Sequence, residues 1–151
     1  MSSRDGMAPD SPLSQGSEPS SGHAPPRILV VDDDLINQRV IANLLKRKGW
    51  ESAVARSGQE CLQKLSSEVF HLVLLDIQMP AMDGFQTAAS LRRQEAERGR
   101  ATPIPIVALT ALRQPDTRER CLAAGMDDHL TKPVNTDQLY AVIQRVLKLP
   151  S

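Results

Sequence analysis

The sequence predicts an α/β fold, a doubly wound five-stranded parallel sheet with helices on both faces. Three observations carry this. Short β-branched runs alternate with stretches of helical period five times along the chain. Two of the runs, "HLVLLD" and "IPIVALT", are almost wholly apolar, as strands buried on both faces must be. Strictly alternating strands and helices need crossover connections, which belong to parallel sheets.

The 151 residues suit one domain with a short extension. Residues 1–26 form the extension, because fifteen of these 26 are Ser, Pro or Gly. Such a segment buries too little apolar surface to offset its ordering entropy. It is expected to be a disordered tail or linker, stiffened at Pro25-Pro26, with His23 solvated. The folded domain is expected over residues 27–149.

The first strand is read at residues 27–31. Ile36, Val40 and Leu44 follow at spacing four, with Ile41 and Leu45 beside them, and this helix stops at Lys48-Gly49. "ESAVA", residues 51–55, is a short strand; Trp50 at its start reads as core or rim packing. Ser57 caps a helix over residues 59–65, with Glu60 completing a capping box. Residues 71–76 form the third strand and end in a carboxylate. "QMPAMDG" is a turn whose Met79, Pro80 and Met82 serve packing, and it leads into a helix over residues 85–96. The charged "RRQEAERGR" reads as a solvated helix end and loop. Residues 104–110 make the fourth strand, residues 116–124 a helix closing at Gly125, and residues 128–131 the fifth strand. The last helix starts near Asn135 or Thr136. Its Leu139, Val142, Ile143, Val146 and Leu147 form one apolar face.

Composition removes several function classes. Lys+Arg and Asp+Glu both number 18 and aromatics are 3%, which argues against a nucleic-acid binder. Cys61 and Cys121 stand apart and make no CxxC or Cys/His cluster, so they read as reduced structural thiols of a cytoplasmic protein. No signal-peptide h-region and no membrane-length apolar run is visible, so no membrane contact is expected. There is no GxxxxGK[ST] and no GxGxxG to cradle a nucleotide.

In a doubly wound sheet, ligands bind beyond the carboxyl ends of the strands, where strand order reverses. Asp32-Asp33-Asp34, Asp76, Thr110 and Thr131-Lys132 all end strands, so they converge there. Clustered carboxylates cannot all stay ionised without a counter-charge. Lys132 is one; a hard divalent cation such as Mg²⁺ is another. Asp76, on the central strand, is the best candidate nucleophile toward phosphorus. Asp34 reads as a helix cap.

These residues carry a resemblance. "VVDDD", "DIQMPAMDG", "ALTA" and "TKPV", in this order and spacing, resemble the receiver domains of two-component signalling, the response-regulator family. Shared "DxQMPxMDG" and "AGMDDxLTKP" patterns make the chain most similar to receivers of hybrid histidine kinases. The resemblance implies a flavodoxin-like (βα)5 sandwich of strand order 2-1-3-4-5. It implies Asp76 as phosphoacceptor, in a reaction that is self-catalysed and not that of a conventional enzyme. Mg²⁺, or Mn²⁺ in its place, would be held by Asp33 and Asp76, by Asp32 through water and by the Gln78 backbone carbonyl. Thr110 would be the switch that moves toward the phosphoryl group, Lys132 its ion-pair partner, and Lys132-Pro133 a cis bond. Gln78 and Leu112 would set the lifetime of the product. The moving face would be the fourth helix, fifth strand and fifth helix. His129 stands where the family usually has Tyr or Phe; it reads as a ring on an edge strand ahead of a pH sensor. The implied partners are a histidine kinase or histidine phosphotransfer protein, and a downstream protein target.

Two other classes fit the residues less well. Asp-nucleophile phosphohydrolases carry a second Asp two residues on, where this chain has Gln78. Receiver-like modules that are never phosphorylated lose the acidic pair, the acceptor or the lysine, and here all are present. With no output domain after Leu149, the chain reads as a stand-alone receiver or a piece of a hybrid kinase.

Overall fold

The computed structural model describes residues 24–111 and 114–150. Five strands and five helices alternate: β1 (Arg27–Val31), α1 (Leu35–Arg47), β2 (Glu51–Ala55), α2 (Gly58–Ser67), β3 (Leu72–Asp76), α3 (Gly84–Glu97), β4 (Ile106–Thr110), α4 (Thr117–Ala123), β5 (Asp128–Thr131) and α5 (Thr136–Leu147). The strands form one parallel sheet in the order β2-β1-β3-β4-β5, as expected. The chain therefore reverses its winding between β1 and β3, which opens a crevice above those two strands.

Strand periodicity divides the core in two. Ile28, Val30, Leu72, Leu74, Val107 and Leu109 face α1 and α5 and pack on Ile41, Leu45, Leu139 and Ile143. Leu29, Val31, Val73, Leu75, Ile106 and Ala108 face the other way, with Cys61 of α2, Leu91 of α3 and Cys121 of α4. All five residues of β3 are buried, and so are all five of β4. Each large apolar side chain so buried stabilises the fold by about 1.5–3 kcal/mol. Both cysteines are free and buried, as read. Trp50 packs edge-on against Tyr140, with ring centroids 5.8 Å apart.

Five expectations need correction. The α1 face toward the core is Gln38, Ile41, Leu44 and Leu45. Ile36 and Val40 lie on the adjoining row and are 72% and 50% exposed. The third strand starts at Leu72, one residue late, because the His71 N–H and Nδ1 are engaged by Arg27. The fourth starts at Ile106, because Pro105 has no N–H for the ladder. Glu60 does not close a box on its cap. Ser57 Oγ accepts the Glu60 N–H, but the Glu60 carboxylate accepts the N–H of Arg56. Finally, "RRQEAERGR" is not solvated on all sides. Helix α3 runs through it to Glu97, and Glu95 is buried. Its carboxylate accepts the Ile104 N–H at 2.8 Å and pairs with Arg92 at 2.8 Å. The complete capping box belongs to α3, between Asp83 and Gln86.

Lys48 and Gly49 do end α1, Gly49 at φ +79, a conformation that costs glycine little. Asn135 caps α5. The Pro26 carbonyl accepts the Glu51 N–H; residues 1–23, where most of the expected tail falls, and Leu112 lie outside the described residues.

Candidate functional site

Strand register assembles the site. Val31 pairs with Leu75, so the next residues along, Asp32 and Asp76, emerge side by side above the sheet. Thr110 pairs with Thr131, which sets Lys132 beyond the end of β4, its N–H donating to the Thr110 carbonyl at 2.7 Å. Carboxylate oxygens of Asp32, Asp33 and Asp76 all lie within 4.8 Å of one another. Asp32 and Asp76 are buried and Asp33 is exposed. The Lys132 ammonium reaches across the cluster, 3.2 Å from Asp32 Oδ2 and 3.2 Å from Asp76 Oδ1.

The backbone fixes each carboxylate. Asp32 Oδ1 accepts the Asp34 N–H at 2.9 Å, and Asp76 Oδ1 accepts the Gln78 N–H at 3.0 Å. Asp34 turns away and caps α1, accepting the Ile36 N–H at 2.8 Å, so the capping reading holds. Gln38 was missed: its Nε2 donates to the Asp32 carbonyl at 2.5 Å from a buried position. The signal was a polar residue in line with Ile41 and Leu45 on α1.

Burial raises the Asp76 carboxyl, and the nearby Asp32 charge adds to this, to about 6; the Gln78 N–H and Lys132 pull the other way. Burial alone would lower Lys132, but Asp76 and Asp32 outweigh it and hold the ammonium above its ordinary value. Among the described residues Lys132 is the basic group paired with this cluster, one positive charge against three carboxylates. All-oxygen donors and surplus negative charge fit a hard divalent ion such as Mg²⁺, which takes one or two carboxylates and completes its shell with water.

The switch candidates lie near. Thr110 is buried at the end of β4. The Lys132-Pro133 bond is cis, as expected. His129 lies on β5 at the sheet edge, a quarter exposed, with its Nδ1 buried and 4.0 Å from Asp128 Oδ1. Asp128 itself is gripped by Arg118 of α4 at 3.1 Å and by Arg145 of α5. Burial would raise this carboxyl, but the Arg145 hydrogen bond outweighs it, with smaller help from the His129 N–H and Arg118, and holds it below the usual range.

A crevice of clustered carboxylates and one lysine, at the switch point of a doubly wound sheet, defines a site for a metal-assisted anion such as a phosphoryl group. Residues 28–144 match the response regulator receiver domain, and the chain belongs to that family. It is 40% identical over 137 residues to the sensor histidine kinase GacS of Pseudomonas protegens, covering 91% of this chain and 15% of that protein. It is 40% identical over 121 residues to the hybrid signal transduction protein dokA of Dictyostelium discoideum, covering 80% of this chain and 7% of that one. The chain thus spans a small part of these relatives. Among solved structures it is similar to the receiver domain of Ssk1 from Saccharomyces cerevisiae, crystallised with the histidine phosphotransfer protein Ypd1 (TM-score 0.76, 31% identity, 80% of this chain and 88% of that one). It is also similar to the receiver of the sensor histidine kinase PA1611 from Pseudomonas aeruginosa, which holds a magnesium ion in its active-site cleft (TM-score 0.72, 34% identity, 83% and 99%).

Proposed function

We propose that this chain accepts a phosphoryl group on Asp76 from a phosphohistidine donor and relays the change through Thr110 and Lys132. The observation that carries this reading is the carboxylate cluster of Asp32, Asp33 and Asp76, with Lys132 paired to Asp32 and Asp76. Asp33, Asp76 and the Gln78 carbonyl are the residues to hold Mg²⁺, with Asp32 acting through water. When bound, Mg²⁺ supplies charge neutralisation for the phosphoryl oxygens. No observation calls for Mn²⁺ instead.

Transfer needs positioning more than covalent help. A carboxylate oxygen of Asp76 attacks phosphorus in line, the P–N bond to the donor imidazole breaks, and the imidazole keeps the electron pair. The Gln78 N–H and Lys132 orient the Asp76 carboxylate beforehand, and Lys132 then pairs with the new phosphoryl charge, about −1.5 to −2 by analogy with other phosphorylated side chains. Thr110 responds by moving toward that charge, shifting an existing equilibrium of the α4–β5–α5 face toward its active state. Gln78, beside the acceptor, and Leu112 set how long the group survives. Residues 27–149 make up the functional domain and residues 1–26 a linker or tail. Among the described residues no helix is long and apolar enough to cross a membrane; cytoplasmic placement is part of this proposal.

The donor approaches over α1. Leu35, Ile36 and Val40 are 58%, 72% and 50% exposed at the start of that helix. Beside them a cleft of about 500 Å³ is lined by Val40, Ala111, Lys132, Pro133 and Val134. An apolar lip around a charged crevice suits a helical donor that presents a phosphohistidine amid apolar side chains. The decisive experiment is phosphotransfer from radiolabelled phosphotransfer proteins to the parent and to Asp76→Asn. Label on the parent and none on a folded Asp76→Asn supports the reading; equal label on both ends it.

A further inference from the structure

Gly84 opens α3 directly against the strand end that carries Asp76. A methyl group on its Cα would stand 2.6 Å from the Ile77 Cα and 2.7 Å from the Asp76 carbonyl oxygen. Both are backbone atoms, so no side chain can swing aside to make room. The Gly84 N–H also donates to the Ile77 carbonyl at 2.8 Å. From the neighbouring strand, the Leu109 carbonyl accepts the Ile77 N–H at 3.0 Å. The 76–77 peptide is held between β4 and the first turn of α3, and it cannot retreat without leaving the sheet.

The turn after this peptide comes back through Met82, where a second glycine receives it. A methyl on Gly58, the first residue of α2, would collide with Thr87 Oγ1 and stand 2.7 Å from Met82 Sδ. Thr87 Oγ1 is tied to the Asp83 carbonyl at 2.8 Å. Residues 77–83 are therefore seated between two helix starts that lack a side chain.

We propose that Gly84, and Gly58 acting through Met82 and Thr87, are positioning residues that set where Asp76 and the Gln78 carbonyl stand for metal and phosphoryl group. Neither glycine touches the reacting atoms. The proposal rests on the acceptor and metal roles given above. Side chains at 58 or 84 push the start of α3 off the strand end and spread the ligand set, while the sheet and the core on the α1 and α5 face stay in place.

The test uses the full chain with MgCl2 as probe. Three quantities are measured for parent, Gly84→Ala and Gly58→Ala: the half-saturating MgCl2 for labelling by acetyl phosphate, the amide NMR shifts of residues 76–78 on MgCl2 titration, and the urea midpoint. Gly84→Ala should raise half-saturating MgCl2 roughly tenfold, as loss of support behind a metal ligand does. The same amides should move before any metal is added. Gly58→Ala, whose methyl meets side-chain atoms that yield, should give a smaller rise of about twofold or more. A purely structural role would lower the urea midpoint and leave half-saturating MgCl2 at the parent value, which overturns the proposal. If Gly84→Ala does not fold, a folded Gly58→Ala with parent-like MgCl2 dependence overturns it alone. A parent that takes no label at any MgCl2 concentration refutes the acceptor reading, and this proposal with it.

Discussion

Replacing Asp76 with Asn removes the nucleophile, and it should also stabilise the metal-free chain in mild alkali. The native fold holds this carboxylate against its preference, because burial, with Asp32 beside it, pushes it from 3.8 up to about 6. The unfolded chain keeps the ordinary value. Between the two values the native state retains a proton that the unfolded state has lost. Stability from the neutral form is therefore full below about pH 4 and is lost as pH rises through about 6. A gap of about two units corresponds to about 3 kcal/mol. Asn is neutral like the protonated carboxyl and avoids that cost, in which the Lys132 attraction is already included. The net expectation is a gain approaching about 3 kcal/mol at about pH 8 that shrinks toward zero near pH 4. Urea unfolding in EDTA at both pH values measures it. A variant less stable than the parent at the higher pH, or a difference that does not change with pH, refutes the reasoning. Adding MgCl2 should narrow the gap by stabilising the parent.

Other outcomes follow from single contacts. Ile36→Ser should slow transfer from a protein donor several-fold while leaving labelling by acetyl phosphate and the urea midpoint unchanged, since this side chain is 72% exposed. Gln38→Leu strands the buried Asp32 carbonyl and should cost about 1–3 kcal/mol in urea unfolding, with weaker MgCl2 binding by calorimetry. Glu95→Ala leaves the buried Ile104 N–H without its acceptor and removes one of the Arg92 partners, the others being the Gly125 carbonyl and Asp127, so a loss of about 1–3 kcal/mol is expected in thermal unfolding. Asp128→Ala should destabilise at neutral pH but not in acid. The parent's depressed carboxyl contributes stability above its unfolded value and loses it as pH falls through the lower folded value, so acid unfolding of the two should converge.

The strand ends were legible because they rest on local physics. An apolar run that stops at Asp32, Asp76 or Thr110 announces both the strand and the polar crevice above it, and parallel connectivity leaves few places for those ends to go. Capping by Asp34 and Ser57 was equally local. What failed depended on neighbours distant in sequence. Ile36 and Val40 satisfy a helical period as well as Ile41 and Leu45 do; which row faces inward is decided by where β1 and α5 lie. Glu95 looks solvated in its charged string, and only the approach of Ile104 and Arg92 buries it. Gln38 gains meaning only because the β1–α1 turn brings the Asp32 carbonyl within reach. Gly58 and Gly84 look like ordinary helix-start glycines until α2, α3 and the end of β3 are stacked together. The sequence by itself determined the alternation, the sheet and the chemical character of its rim, since periodicity and charge are carried residue by residue. The tertiary structure alone decided which apolar row is spare, which charge is buried and which glycine must stay bare, because each depends on the distance between atoms that the chain does not connect directly.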